Sequence, residues 1–464
     1  MPRALLPVYT LLLACGAAAP LHARPADTVA AGLGARLDSA LRAAAQRGFS
    51  GVVRVQRGDS LLLRKGYGLA NRARRIPFND ATVIQIGSNT KDFTLVALLR
   101  LQQRGHLSLG DSLGKYFPNA PADKRGITLR LLVEHRGGFP IGLGGDFESV
   151  TRDQMLQRAF AAPLRAQPGT REIYSNPGYA ILAAVIEQVT GKSYDEHVRD
   201  DLLVPLGLEN TGYHLPRFDR DRIAHGYADG EDRGNILLKP HAADGPYWNL
   251  RGNGGMLSTV EDMHAFYRAL FGGERLLPLT ARGGRFDPAE PVGLAGSDLV
   301  HFFLFERLPR EGLEIIIATN SAEARAPMVR EAIAPLLGLP TPGDRAGQAP
   351  AAAPVGAKQP PPAVEALIRE VISAVNAGDS TALTRVVAER FEQTDGPPVP
   401  QRVARLRQMH DRLGMLTPTA MWLDTDGAVN VAAGTAKEGA ATFVFSVSAA
   451  TPPKIRSIRV MVGG

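Results

Sequence analysis

The chain has 464 residues, 44% hydrophobic and 21% charged, the proportions of an ordinary globular protein, which excludes both wholesale disorder and a polytopic membrane protein. Its 53 Lys and Arg against 46 Asp and Glu give a net charge of +7. This small excess is spread along the chain and argues against a dedicated nucleic-acid binder. The single cysteine, Cys15, excludes an intramolecular disulfide and a cysteine-rich metal site.

Met1-Pro2-Arg3 supplies a short positive start, residues 4–20 are apolar, and Leu21-His22-Ala23 puts a small residue before Arg24. The pattern reads as a secretory signal peptide over residues 1–23, with a periplasmic or secreted mature chain. An alternative makes Leu12-Leu13-Ala14-Cys15 a lipoprotein signal that anchors the chain through an acyl group on Cys15. An uncleaved anchor helix fits less well, because the apolar run falls short of the ~20 residues that span a bilayer.

Residues 24–340 read as one α/β domain. A helix comes first, then a hairpin in which Val53 and Val55 alternate, Gly58-Asp59 turns, and Leu61 and Leu63 alternate on the way back. A strand-like stretch over 83–86 runs into Gly87-Ser88-Asn89-Thr90-Lys91. After it, residues 95–99 and Leu101 make a helix that is apolar nearly all round, as a buried helix should be. A serine at the start of such a helix has its hydroxyl among unpaired backbone N–H groups at the positive dipole end. Lys91, one turn on, shares its face. A partly desolvated lysine can give up its proton and activate a hydroxyl nucleophile, although a capping serine before an ordinary lysine has the same spelling.

Further on, Tyr174-Ser175-Asn176 forms a turn ahead of Pro177 and a helix with Tyr179, Leu182, Ile186 and Val189 inward, ended by Gly191. From such a turn Tyr174 could shuttle protons and Asn176 could hold a substrate amide. Strand-like stretches over 300–305 and 313–318 close the region. Strands at both ends with helices between predict a sheet built from sequence-distant edges.

Several motifs read more plainly. Gly191-Lys192-Ser193 imitates a phosphate-binding loop, but Ile186 stands where its upstream glycine belongs. Ser193-x-x-Glu196 and Ser258-x-x-Glu261 read as capping boxes, and Gly252-Asn253-Gly254-Gly255 as a flexible loop beside the site. His135, His225 and His301 show no paired metal spacing, so neither a metal nor another cofactor is expected.

Residues 341–362 are rich in Pro and Ala, carry almost no large apolar side chain, and read as a linker. Residues 363–464 then read as a small α+β domain. Val364, Leu367, Ile368, Val371, Ile372 and Val375 mark a helix stopped by Gly378. A second helix runs from about 399 to 413, and alternating segments follow near 420–423, 441–447 and 455–462.

Five segments occur in one order: Ser88-Asn89-Thr90-Lys91, residues 127–135 (ITLRLLVEH), Tyr174-Ser175-Asn176, Pro205-Leu206-Gly207-Leu208, and residues 254–262 (GGMLSTVED). Over roughly residues 30–335 the chain resembles the serine β-lactamase-related superfamily, on the branch of class C β-lactamases, D-alanyl-D-alanine carboxypeptidases, D-aminopeptidases and esterases. The resemblance implies a β-lactamase-like antiparallel sheet flanked by helices beside a helical lobe. It implies Ser88 as nucleophile, Lys91 and Tyr174 as the acid–base pair, Asn176 binding substrate, and the Ser88 N–H as half an oxyanion hole.

The superfamily's third motif, a Lys or His, one residue and a Gly, falls best on Leu294-Ala295-Gly296, with Ser297 supplying the second oxyanion N–H. Leu294 can neither donate a hydrogen bond nor favour a substrate carboxylate, so this motif is degenerate. The stretch from Asp262 to Leu294 is short for the superfamily, and Arg136-Gly137-Gly138 stands where Thr-Ser-Gly is common. With the signal peptide read at residues 1–23, the resemblance implies an exported serine hydrolase forming an acyl-enzyme on an ester or amide of a small-molecule or peptide substrate, of the cell-wall peptide or small-ester class. An alternative, carried by Leu294, is a catalytically impaired periplasmic binding or regulatory module. Residues 363–464 resemble, in order and pattern only, the cone-shaped domains of the nuclear transport factor 2-like group, which implies a small-ligand or dimerising role.

Overall fold

The computed structural model describes residues 27–213, 217–228, 230–274, 276–282, 286–298, 300–321, 326–339, 357–393, 398–423, 428–436, 439–448 and 450–462. The expected signal peptide, Cys15 and most of the expected linker lie outside them. The chain forms two compact units, one up to Ala326 and one from Pro327. No helix among the described residues is long and apolar enough to cross a membrane.

The first unit is built on a six-stranded sheet of β1 (Thr28–Val29), β2 (Gly51–Arg57), β3 (Ser60–Tyr67), β4 (Val292–Ser297), β5 (Phe302–Leu308) and β6 (Leu313–Thr319). Their order is β1-β3-β2-β6-β5-β4, and every pair is antiparallel. The expected hairpin is the β2–β3 pair. Its β2 strand joins the far end of the chain, with Val53 opposite Ile317, so sequence-distant strands do close one sheet. Val52, Val53 and Val55 are all buried, which marks β2 as a strand covered on both faces rather than one.

Four helices matter for the site or its support: α1 (Leu33–Gln46), α2 (Thr90–Gln103), α3 (Asn176–Thr190) and α4 (Val260–Phe271). Helix α2 is the buried one that its composition requires, with residues 90–99 and Leu101 all buried. The Phe93 ring stacks on Phe266 of α4 at 4.0 Å, and Tyr267 stacks on Phe305 of β5 at 4.1 Å. Helix α4 therefore wedges between α2 and the sheet, with aromatic contacts on both sides. Between α4 and β4 the only helix among the described residues is Leu279–Arg282.

The second unit holds α5 (Pro362–Ala377), α6 (Ser380–Arg390) and α7 (Val399–Leu413), then an antiparallel meander β7 (Leu416–Leu423), β8 (Val429–Thr435), β9 (Gly439–Val447) and β10 (Ile455–Val462). Helices first and strands afterwards is the expected α+β order. Gly378 ends α5 in the left-handed conformation. The sequence reading missed α6, whose N-cap is Asp379, and β8, whose Ala432, Ala433 and Gly434 dilute the strand signal. Ile368, Val387, Val431 and Phe443 share the core of this unit.

Candidate active site

The strand leading to Ser88 is short. Ile84–Gln85 pairs with Leu257–Ser258, and the Ile86 N–H donates to the Met256 carbonyl at 3.0 Å. One tight turn over Gly87–Asn89 then enters α2. Gly87 has φ +51°, and a Cβ there would fall 2.4 Å from the Ser297 nitrogen. A Cβ on Gly296 would fall 2.1 Å from the Ile86 carbonyl oxygen and 2.7 Å from the Asn89 nitrogen. These two glycines let the edge strand β4 meet the Ser88 turn backbone to backbone. The contact is locked by buried Asn89, whose Nδ2 donates to the Leu294 carbonyl at 3.2 Å and to the Tyr267 hydroxyl at 2.8 Å.

Gly296→Ala should destabilise the protein by about 3 kcal/mol, because the added methyl meets backbone that cannot yield locally. Gly293→Ala on the same strand, with nothing within 4 Å of its Cβ position, should be close to neutral. Urea denaturation of the two variants makes the comparison, and equal midpoints would refute it.

Around Ser88 three elements converge. Its Oγ shares a hydrogen bond with the Tyr174 hydroxyl at 2.7 Å and accepts one from Lys91 Nζ at 3.2 Å. Lys91 also donates to Asn176 Oδ1 at 2.8 Å and to the Asn253 carbonyl at 2.7 Å. Lys91 is 4% exposed and Tyr174 40% exposed, so the Lys91 side chain is buried at the site and the phenol reaches its open side. Ser88 comes from the tight turn over Gly87–Asn89 and Lys91 from the first turn of α2, three residues on. The extended segment before α3 delivers Tyr174 and the first residue of α3 is Asn176, with Ser175 capping the helix by accepting from the Gly178 N–H.

A hydroxyl in contact with an amine and a phenol, at a helix N-terminus and against an edge-strand backbone, has the parts for nucleophilic acyl transfer. The four residues read from the sequence at 88, 91, 174 and 176 are thus brought together. Gly296 and Ser297 adjoin the turn that carries Ser88. Leu294 sends its side chain into the core, 3% exposed, and reaches the site through its carbonyl. No group of three or more potential metal-ligating side chains occurs among the described residues.

Two contributors escaped the sequence reading. Asn253 acts through its carbonyl, which no side-chain pattern reveals. Its loop is not the flexible one expected: Arg251 and Asn253 are each 1% exposed. Arg251 donates to both Asp244 carboxylate oxygens at 3.0 Å, and a Cβ on Gly252 would strike Ala183 at 2.6 Å. The glycines here serve close packing rather than motion. The second contributor is His135, whose Nδ1 accepts the Ser175 N–H at 3.1 Å. The Ser193–Glu196 capping box is present. The Ser258–Glu261 box is not, because α4 starts one residue later with Thr259 as its cap, leaving Glu261 to pair with Arg54 and Arg64.

The loop's support has a pH signature. Asp195 is 4% exposed, and burial pushes its carboxyl up to about 6, partly offset by Arg251 and the Tyr213 N–H. Between pH 4 and 6 the folded chain holds a proton that the unfolded chain has released, so stability falls as pH rises. Above pH 6 the cost is on the order of 3 kcal/mol. Asp195→Asn, which keeps an acceptor for Tyr213, should raise stability at pH 7.5 by up to about that amount and change little at pH 4. Urea titrations at the two pH values measure the difference; an equal effect at both would contradict it.

A model of the Beta-lactamase family matches residues 32–293. Among curated proteins, the chain is 28% identical over 227 residues to a putative penicillin-binding protein, PbpX, of Bacillus subtilis, covering 49% of this chain and 56% of that one. It is 30% identical over 245 residues to a putative D-alanyl-D-alanine carboxypeptidase of Escherichia coli O157:H7, covering 47% and 54%. The chain therefore spans about half the length of these relatives. Its fold is that of FmtA from Staphylococcus aureus, with TM-score 0.58, 22% identity and coverage of 68% and 92%. It is also that of EstCE1, a hydrolase with promiscuous acyltransferase activity, with TM-score 0.53, 23% identity and coverage of 65% and 98%. With more than half its length matched, and with an antiparallel sheet meeting a buried helix at the Ser88 turn, the chain belongs to the β-lactamase family.

Proposed function

We propose that this protein is an exported serine hydrolase that forms an acyl-enzyme through Ser88 on a small ester or amide. The observation that carries the reading is the Ser88 hydroxyl held at once by Lys91 Nζ, at 3.2 Å, and by the Tyr174 hydroxyl, at 2.7 Å. Relatives named as a putative carboxypeptidase and a penicillin-binding protein, and a fold neighbour named as a hydrolase, support the same class. Export rests on the positive, apolar, small-residue order of residues 1–23.

In this reading Ser88 Oγ attacks the substrate carbonyl carbon and gives its proton to the Lys91–Tyr174 pair. Negative charge on the carbonyl oxygen is met by the N–H groups of Ser88 and Ser297. Tyr174 protonates the leaving alcohol or amine as the carbon–heteroatom bond breaks, and the acyl group stays on Ser88. Water, deprotonated by the same pair, then releases the acid. Asn176 fixes Lys91 and faces a substrate amide. Leu294 supplies no cation, so neutral esters are favoured over substrates recognised by a carboxylate.

An activated fluorophosphonate tests the reading. Mass spectrometry of the digested adduct should find the label on Ser88 alone. Label on another serine, or none, would leave the alternative of a binding module that has kept the hydrolase fold.

A further inference from the structure

We propose that His135 is a positioning residue that holds the phenol of Tyr174 against Ser88. The inference rests on the serine-hydrolase reading, in which Tyr174 moves protons. His135 grips the chain on both sides of Tyr174. The Ile173 N–H donates to the His135 carbonyl at 2.7 Å, and the Ser175 N–H donates to His135 Nδ1 at 3.1 Å. Between these bonds the imidazole lies against the Tyr174 ring, centroid to centroid 4.5 Å at 31°. A second ring, Tyr179, has its centroid 5.2 Å from that of the imidazole, and its hydroxyl donates to the Val133 carbonyl at 3.1 Å.

The backbone at His135 has φ +56°, one of two positive values among the described non-glycine residues. A left-handed residue of this kind is uncommon outside Gly, Asn, Asp and His, and it persists where surrounding contacts over-determine it. Here the conformation turns the imidazole toward the Tyr174 segment. Nδ1 must be unprotonated to accept the Ser175 N–H, which puts the ring proton of neutral His135 on Nε2. Tyr174 is 40% exposed. Its approach to Ser88 therefore depends on how firmly residues 173–175 are held, and His135 supplies two of the bonds that hold them.

Two variants separate the hydrogen bond from the backbone shape. His135→Asn tolerates the left-handed conformation and keeps an acceptor at the δ position, whereas His135→Gly suits the conformation and has no acceptor. His135→Asn should keep kcat within about threefold of wild type. His135→Gly should lower kcat and the rate of fluorophosphonate labelling by about 10²-fold with KM nearly unchanged, the scale expected when a reacting group is displaced by about 1 Å. Equal kcat in the two variants would overturn the proposal while leaving a wild-type adduct on Ser88 intact. Absence of that adduct would instead sink the hydrolase reading, and this inference with it. Should His135→Gly not fold, ¹⁵N chemical shifts of the wild-type imidazole decide the matter: an unprotonated Nδ1 supports the proposal, and a protonated Nδ1 overturns it.

Discussion

Replacing Ser88 by alanine should lower kcat/KM for a small activated ester by about 10⁴-fold or more and abolish labelling, since no other group can form the acyl-enzyme. The fold should survive. Ser88 is half-buried, and the turn that holds it is fixed by Gly87, Gly296 and the side chain of Asn89 rather than by its own hydroxyl. Loss of Oγ removes one partner each from Tyr174 and Lys91, a cost of about 1 kcal/mol in stability. Thermal unfolding close to wild type combined with no turnover is the expected pair of results. Turnover equal to wild type would reject Ser88 as nucleophile.

Lys91 should come next in size. Lys91→Ala removes the amine that joins Ser88, Asn176 and the Asn253 carbonyl, and should cost about 10³–10⁴-fold in kcat, the upper range for a positioned base. Because the two residues act as one unit, Ser88→Ala combined with Lys91→Ala should be no slower than Ser88→Ala alone. Stability should also fall, by about 1–3 kcal/mol, since the Asn253 carbonyl loses its donor in a buried place. Lys91→Met fills the space without the charge, and so separates lost packing from lost chemistry. Steady-state kinetics of the four variants at matched folded fractions measures the effect; full additivity in the double variant would argue against a shared mechanism.

How much of this was legible in the sequence differs by element. The all-round apolar pattern after Lys91 announced a buried helix, and the i to i+3 spacing placed Ser88 and Lys91 on one face, because both are properties of 3.6-residue periodicity. Tyr174-Ser175-Asn176-Pro177 announced a turn and helix start through local chemistry at Ser175 and Pro177. The resemblance of five ordered segments added that these separate pieces share one cleft. In the second unit, Gly378 and the spacing of Val364 to Val375 marked a helix, while Ser380–Arg390 escaped because a weaker apolar pattern leaves only its Asp379 cap as a signal.

Capping shows where local spelling stops deciding. Ser193 and Glu196 form their box, yet Ser258 and Glu261, with the same spacing, do not. There Thr259 takes the cap, and the Ser258 hydroxyl bonds that of Thr211 at 2.8 Å. Glu261 is drawn to Arg54 and Arg64 on the sheet. Tertiary partners outweigh a local bond worth about 1 kcal/mol.

The sequence by itself pointed to the family and to a sheet drawn from both ends of the first unit, and it singled out positions 88, 91, 174 and 176, because periodicity, turn chemistry and motif order are local or linear. Only the tertiary structure decided that Leu294 faces the core, that the loop at 249–255 is buried and lends a backbone carbonyl to Lys91, and that His135 brackets Tyr174. Each of these depends on atoms far apart in the chain meeting within hydrogen-bond or van der Waals distance, and on backbone groups that every residue carries alike, so no residue type announces them.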